Sequence, residues 1–334
     1  MIRVRLPHIS GTHLDHLHPL HAGLCPEVGD CLASGTLLLE QAGIETARLD
    51  AECLLAHALG WARWRLVTER RRRLTPDEFA MYLSILQRRE LREPLAYLVG
   101  MREFWSLSLA VSPNVLVPRP ETETLVEAAL SLLRDEPPGC GTGSPSFQAG
   151  HPHGVSEAGH PVLIDLCTGS GAVAIALARE LPGSALIATD ISRRALQIAR
   201  SNAEAHSVID RITFLRGNLW RALDGQGPDM RADLVVSNPP YIPSGVLPKL
   251  MPEIQWEPRK ALDGGWDGLA LHRGIIAGAP DRIRPGGFLL LEIGADQADS
   301  VSQLLEDRGS FGNIRVLPDL AGRDRVVVAR RRDT

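Results

Sequence analysis

A doubly wound α/β sheet, preceded by a small helical domain, is the fold this sequence predicts, with one antiparallel strand at the C-terminal end of the sheet. Three observations predict it. From Val162 onward, short aliphatic runs alternate with helical runs, which implies a mostly parallel sheet covered on both faces. The first strand runs into a glycine turn and then a helix, the arrangement in which such sheets bind ligands. The last two runs, "NIRVLPDL" and "RVVVAR", are joined only by "AGRD", too short for a crossover helix, so they should pair antiparallel.

Taken in order, residues 1–30 carry His8, His13, His16, His18 and His21 without an apolar period and are expected to be an unstructured leader, with no metal site. Residues 31–92 place apolar side chains three and four apart in "TLLLEQAGI", "RLDAECLLAHALG" and "PDEFAMYLSILQRREL", and predict a helical domain. Thr75-Pro76, followed by acids, reads as a helix start. The run Arg70–Arg73 reads as a solvated loop, with contact to an acidic or RNA-rich partner as the other reading. Residues 93–122 alternate and are rich in β-formers, which predicts a hairpin connector. The main domain then occupies 123–334, interrupted at 135–160 by a Pro-, Gly-, Ser- and His-rich stretch expected to be a flexible insertion. His151, His153 and His160 in it are not expected to bind metal.

Within the main domain, "VLIDLCTGSG" is a strand and turn, and "AVAIALARELP" the helix behind it. "ALIATDIS" is the next strand, followed by the helical "RRALQIARSNAEAH"; "ITFLRGNLW", "ADLVVSNPPY" and "GGFLLLEIG" supply three more. The chain has 334 residues, 44% of them apolar, a net charge of −4 and no apolar run long enough for a membrane span. That balance carries no footprint of a strong nucleic-acid binder. The five cysteines, at 25, 31, 53, 140 and 167, are scattered and odd in number, which fits reduced thiols. No basic-then-apolar secretory signal opens the chain, so a soluble, cytoplasmic protein without a membrane partner is expected.

The turn Cys167-Thr168-Gly169-Ser170-Gly171 lets backbone approach a ligand closely. One strand later Asp190 ends "IATD", where a carboxylate accepts the ribose hydroxyls of an adenosine. This pair alone also fits a nicotinamide enzyme, and a glycine turn chosen for packing is the bland alternative.

"DLCTGSGA", "ATDIS" and "SNPPY" together resemble the class I S-adenosylmethionine-dependent methyltransferases, which have a Rossmann-like sheet. "PLAYLVG", "REFW", "VPRPETE", "SNPPYIP", "EPRKALDGGWDGL", "PGGFLLLEIG" and "DLAGRDRVV" extend the resemblance to the release factor glutamine N5-methyltransferases of the HemK/PrmC family, over residues 31–330. The resemblance implies a cofactor site at Cys167, Thr168, Gly169, Ser170, Gly171 and Asp190, with Asn218 and Leu219 of "GNLW" beside the adenine and Asn238 shared with the substrate site. It implies a substrate site at Asn238, Pro239, Pro240 and Tyr241, of which Asn238, Pro239 and Tyr241 carry the catalysis. It also implies that the helical domain and hairpin engage the substrate, a class-1 peptide chain release factor, through the glutamine of its Gly-Gly-Gln loop. No direct nucleic-acid contact is expected. Cys167 departs from the glycine common at its position in release factor enzymes and is more frequent in glutamine methyltransferases of ribosomal proteins; "VPRPETE" points back to release factors.

The turn suits an amide. A carboxamide nitrogen is a weak nucleophile, because its lone pair is delocalised into the carbonyl. Asn238 Oδ1 and the Pro239 carbonyl are placed to accept its two N–H groups, leaving one face toward the methyl donor. The same acceptors stabilise the positive charge that develops on nitrogen. The prolines fix where these acceptors point, and such positioning supplies on the order of 7–11 kcal/mol of barrier reduction. Tyr241 offers an aromatic wall and a hydroxyl. Adenine N6 and cytosine N4 are equally flat amines, so a DNA adenine N6-methyltransferase is an alternative, as is a ribosomal-protein glutamine methyltransferase. A partner-binding scaffold without catalysis would need damaged motifs, and these are intact. Glu257 and Arg259, flanked by Trp256 and Trp266, are candidates for substrate positioning or for a structural salt bridge. Glu292 is a candidate to face the cofactor, cap a helix or pair with an arginine.

Overall fold

The computed structural model describes residues 25–135, 160–227 and 230–333. Most of the His-rich leader and the stretch 136–159 therefore lie outside the described residues. The chain divides into two compact units, Met1–Val99 and Gly100–Thr334.

The first unit is helical: α1 (Val28–Gln41), α2 (Ala47–Leu59), α3 (Arg65–Thr68), α4 (Pro76–Glu90) and α5 (Leu95–Val99). Its core gathers Leu39, Leu54, Leu55, Tyr82 and Leu86, all fully buried. Gly35 makes room for Tyr82, whose hydroxyl donates to the Cys31 carbonyl at 3.2 Å. The expected helix start at Thr75-Pro76 is a full capping box: Glu78 N–H donates to Thr75 Oγ1, and Thr75 N–H to Glu78 Oε2. Two expectations are corrected. Helix α1 begins at Val28, inside the stretch read as leader, because Val28 and Gly29 N–H donate to the Arg72 and Arg70 carbonyls, a tie no local pattern reveals. The same tie means that Arg70–Arg73 is no purely solvated loop; Arg72 also forms a two-pronged ion pair with Glu78 at 2.7 and 2.8 Å.

The connector 93–122 is a hairpin only in its middle. Helix α5 precedes β1 (Met101–Phe104), which pairs antiparallel with β2 (Leu107–Ala110). Trp105 (φ 51°) and Ser106 (φ 56°) form the two-residue turn, and positive φ at both matches the twist of the strands. Glu123 Oε1 accepts the Trp105 N–H at 2.7 Å and holds this costly conformation.

The sheet consists of β3 (Val162–Leu166), β4 (Ala185–Asp190), β5 (Ile212–Arg216), β6 (Ala232–Ser237), β7 (Ile283–Glu292), β8 (Phe311–Pro318) and β9 (Asp324–Arg331), in the order β5-β4-β3-β6-β7-β9-β8. The first five strands in this order are mutually parallel, and β9 runs antiparallel to both β7 and β8. Period-two alternation builds two cores. Leu163, Leu234, Val236 and Leu290 face α6 (Glu123–Asp135), α7 (Ala172–Glu180) and α8 (Arg193–Ala205). Ile164, Val235, Leu289 and Leu291 face α9 (Ala270–Arg282) and α10 (Ala298–Arg308). Strand order reverses between β3 and β6, so the crevice beyond their C-terminal ends is where a ligand is expected.

Candidate active site

Leaving β3, the chain turns through Cys167–Gly171 into α7. Cys167 (φ 62°), Gly169 (φ 57°) and Gly171 (φ 84°) are all left-handed, which costs a side-chain-bearing residue about 1–2 kcal/mol. A Cβ on Gly171 would lie 3.0 Å from Ile175 Cδ1 and 3.1 Å from Ala199 Cβ, so glycine lets α7 and α8 approach. A Cβ on Gly169 would meet nothing within 4 Å; that side of the turn is open. The turn is pinned from behind. Thr168 Oγ1 donates to Asp165 Oδ2 at 2.6 Å, and Asn202 Nδ2 donates to the Ser170 carbonyl at 2.9 Å. Burial pushes the Asp165 carboxyl up to about 7, against hydrogen bonds from Thr168 and the Ala174 N–H. Burial likewise pushes the Cys167 thiol up to about 12, so it stays protonated.

Asp190 closes this end of the crevice. Its Oδ2 accepts the Gly169 N–H at 3.0 Å and its Oδ1 the Ser192 N–H at 2.7 Å, which leaves lone pairs for further donors. Burial raises its pKa, and the N–H groups of Ser192, Gly169 and Ile191 oppose that. The Gly217 N–H donates to the Asp190 carbonyl at 3.1 Å, bringing the "GNLW" segment alongside. There Asn218 is exposed, Leu219 has φ 49°, and Trp220 Nε1 anchors the segment on the Ile275 carbonyl at 2.9 Å. An open glycine backbone beside an acceptor carboxylate suits the adenosine and amino-acid parts of S-adenosylmethionine.

One strand over, the wholly buried β6 ends at Ser237, whose hydroxyl donates to the Leu166 carbonyl at 2.7 Å. Asn238 follows. Its Nδ2 donates to Thr122 Oγ1 at 3.1 Å, and its Oδ1 takes no hydrogen bond from any described residue. The turn Pro239-Pro240-Tyr241 is clamped by the glycine-rich loop after it. Ile242 N–H donates to the Leu262 carbonyl at 3.0 Å, and Gly264 N–H to the Ile242 carbonyl at 2.8 Å. Gln297 Nε2 holds the Tyr241 carbonyl at 2.9 Å. A Cβ on Gly264 would lie 2.8 Å from Tyr241 Cα, and one on Gly268 2.3 Å from the Tyr241 carbonyl oxygen. Only glycines let this loop lie against the turn.

Beneath the turn sits Glu292, 1% exposed. Tyr241 Oη donates to its Oε1 at 3.4 Å, and burial pushes the carboxyl up to about 7, against stabilisation by Thr122, Arg325 and Tyr241. Burial, then the Glu292 charge, raises the Tyr241 phenol, which remains protonated. In front of the turn lies a cavity of about 150 Å³ lined by Leu116, Arg119, Asn238, Pro239, Tyr241 and Ile254. Glu257 braces its rim: Oε2 accepts the Val117 N–H at 3.1 Å, and the carboxylate pairs with Arg119.

Two family models match the chain, the PrmC N-terminal domain over residues 30–100 and the methyltransferase small domain over 155–257. A release factor glutamine methyltransferase of Moorella thermoacetica is 41% identical over 88% of this chain and 95% of its own. Another, from Cereibacter sphaeroides, is 41% identical over 90% of this chain and 97% of its own. The chain belongs to the release factor glutamine methyltransferase family. Its fold is shared with the catalytic domain of hMettl16, solved in complex with the MAT2A 3'UTR hairpin 6, at 15% identity and a TM-score of 0.52 over 73% of this chain and 81% of that one.

The structure places the family motifs at the C-terminal ends of the neighbouring strands β3, β4, β5 and β6. Cys167–Gly171 follow β3, Asp190 ends β4, Asn218-Leu219 follow β5 and Asn238–Tyr241 follow β6, and the cavity itself is lined by the last of these turns. Glu257 pairs with Arg119, whereas Arg259 pairs on the surface with Asp263 at 3.1 Å. Trp256 and Trp266 are 41% and 82% exposed. Glu292 lies under the substrate turn, neither capping a helix nor forming a direct ion pair with an arginine among the described residues. Sequence reasoning missed Asp165, Asn202, Thr122 and Gln297. Asp165 had a signal, an acid inside an otherwise apolar strand. The other three act on residues 32 to 116 positions away, which no local pattern announces.

Proposed function

We propose that this chain transfers the methyl group of S-adenosylmethionine to the side-chain nitrogen of the glutamine in the Gly-Gly-Gln loop of class-1 release factors. The observation that carries this reading is Asn238: its NH2 end is committed to Thr122, so its oxygen is the end left to meet a substrate. An oxygen on a rigid turn selects a donor group such as NH2. When bound, the cofactor supplies an electrophilic methyl on a sulfonium, to be attacked in line. Asn238 Oδ1 and the Pro239 carbonyl accept the two N–H groups of the glutamine and turn its nitrogen face toward that methyl. Both acceptors favour the nitrogen as it becomes positive. The buried Tyr241 ring walls the flat amide, and no strong base is needed once the nitrogen is quaternised. Asp190 and the turn at Cys167–Gly171 hold the cofactor, with Asn218 and the Leu219 backbone against its adenine. The helical unit and the hairpin β1–β2 engage the body of the release factor.

The 37–43% identity to several relatives named as release factor enzymes favours this substrate over a ribosomal protein. The test is labelled S-adenosylmethionine incubated in parallel with release factor, with release factor whose glutamine is replaced, with ribosomal protein and with DNA. Label on unmodified release factor alone is expected. Label on DNA, or on the glutamine-replaced factor, would overturn the reading.

A further inference from the structure

Thr122 belongs to "VPRPETE", and its hydroxyl is the group that holds the NH2 end of Asn238. It ends the short 3-10 turn Pro120–Thr122 that leads into α6, and it is buried. Its hydroxyl lies between two groups: Asn238 Nδ2, which donates to it at 3.1 Å, and the Glu292 carboxyl, within hydrogen-bonding reach. A hydroxyl that accepts from one side has its own proton to give on the other. Asn238 NH2 donates to Thr122 Oγ1, and while the Glu292 carboxyl is ionised the Thr122 O–H has an acceptor to face, which gives the arrangement a direction.

That direction matters because the two ends of a carboxamide are nearly the same size. Packing alone does not choose between them; only the hydrogen-bond partners do. Glu292 is itself held in place. His272 Nε2 bonds its backbone carbonyl at 2.9 Å, Tyr241 Oη reaches Oε1 at 3.4 Å, and Arg325, tied to Asp319 and to the Ile293 carbonyl, stands in its electrostatic surroundings together with Glu121. Its Oε2 is buried without a well-aligned partner among the described residues.

We propose that Thr122 and Glu292 are positioning residues that set which end of the Asn238 carboxamide faces the substrate, and so make the site select glutamine over glutamate. This rests on the function proposed above. With Thr122 in place, Asn238 presents an oxygen, which suits an NH2 group and repels a carboxylate. Without the hydroxyl the amide is free to turn, and its NH2 end suits a carboxylate oxygen.

The test measures binding of two release-factor loop peptides, one carrying Gln and one Glu, to the cofactor-loaded enzyme, alongside kcat and KM on the Gln peptide. Thr122→Val should lower the Gln-over-Glu affinity ratio by about tenfold, the size of one net hydrogen bond, and lower kcat with cofactor affinity unchanged. Thr122→Ser, which keeps the hydroxyl, should retain the ratio. Glu292→Gln, whose NH2 can reverse the chain, should lower it as well, and serves if Thr122→Val does not fold. An unchanged ratio in Thr122→Val, or in Glu292→Gln, would overturn the proposal even if activity fell, because a merely structural role weakens both peptides alike. A wild-type enzyme that methylates no release factor would instead defeat the functional reading.

Discussion

Replacing Gly268 with alanine adds one methyl group at φ 78°, on the loop that clamps the substrate turn. The new Cβ would lie 2.3 Å from the Tyr241 carbonyl oxygen and 2.7 Å from Gln297 Nε2, where contacts under 3.0 Å essentially never occur. The carbonyl and the loop must part by about the difference between 2.3 and 3.0 Å. Gln297 is the donor to that same carbonyl, so it cannot follow without losing its bond. A displacement of about 1 Å in a positioned group costs on the order of 10²-fold in rate, so a loss between about tenfold and a hundredfold is expected. The left-handed conformation also takes about 1–2 kcal/mol from stability. The assay is single-turnover methyl transfer to release factor at saturating cofactor, with cofactor affinity measured separately by calorimetry. Gly225→Ala is the control, since a Cβ there meets nothing within 4 Å and the residue is exposed. The reasoning is refuted if Gly268→Ala transfers at the wild-type rate, or if its whole loss lies in cofactor binding.

Asn238→Ala should abolish detectable transfer with little change in cofactor affinity; a large drop in that affinity would place Asn238 in the cofactor pocket instead. Asn202→Leu strips partners from the Ala110 N–H and carbonyl and from the Ser170 carbonyl, at about 1–3 kcal/mol for each buried group left unpaired. Urea unfolding should show the lost stability, and cofactor affinity should weaken because the turn at Ser170 loosens. Asp165 and Glu292 are both raised from ordinary carboxyl values, 3.8 and 4.5, to about 7. Between those values the folded chain binds more protons than the unfolded one, so these two groups make stability fall as pH rises through the window and level off above about 7. Urea midpoints across that range should follow this slope, and Glu292→Gln should flatten it; an unchanged slope in the variant would show that Glu292 is ionised throughout.

The parallel strands and the antiparallel β9 were legible because each strand announces itself by a local run, and a turn as short as "AGRD" leaves one way to pair. The capping box at Thr75 was legible because all its parts lie within four residues. Helix α1 escaped by three residues, since its first turn is set by carbonyls at Arg70 and Arg72. At the site, the glycine turn, Asp190 and the Asn-Pro-Pro-Tyr turn were legible as motifs, because their chemistry is carried by consecutive residues. Their supports were not. Thr122 meets Asn238, Asn202 meets Ser170 and Gln297 meets Tyr241 only because the doubly wound topology brings distant loops to one end of the sheet. The departure at Cys167 shows the same division. Its sequence marks an unusual residue, and the structure adds that its φ of 62° is the reason glycine suits the position.

If Asn238 and its turn hold one glutamine amide for methylation, fragmentation mass spectrometry of treated release factor should locate the product. A single methyl group is expected on the side-chain nitrogen of the Gly-Gly-Gln glutamine, absent when Asn238→Ala replaces the wild type. A methyl group on any other residue, or the same modification made by Asn238→Ala at an undiminished rate, would contradict that expectation.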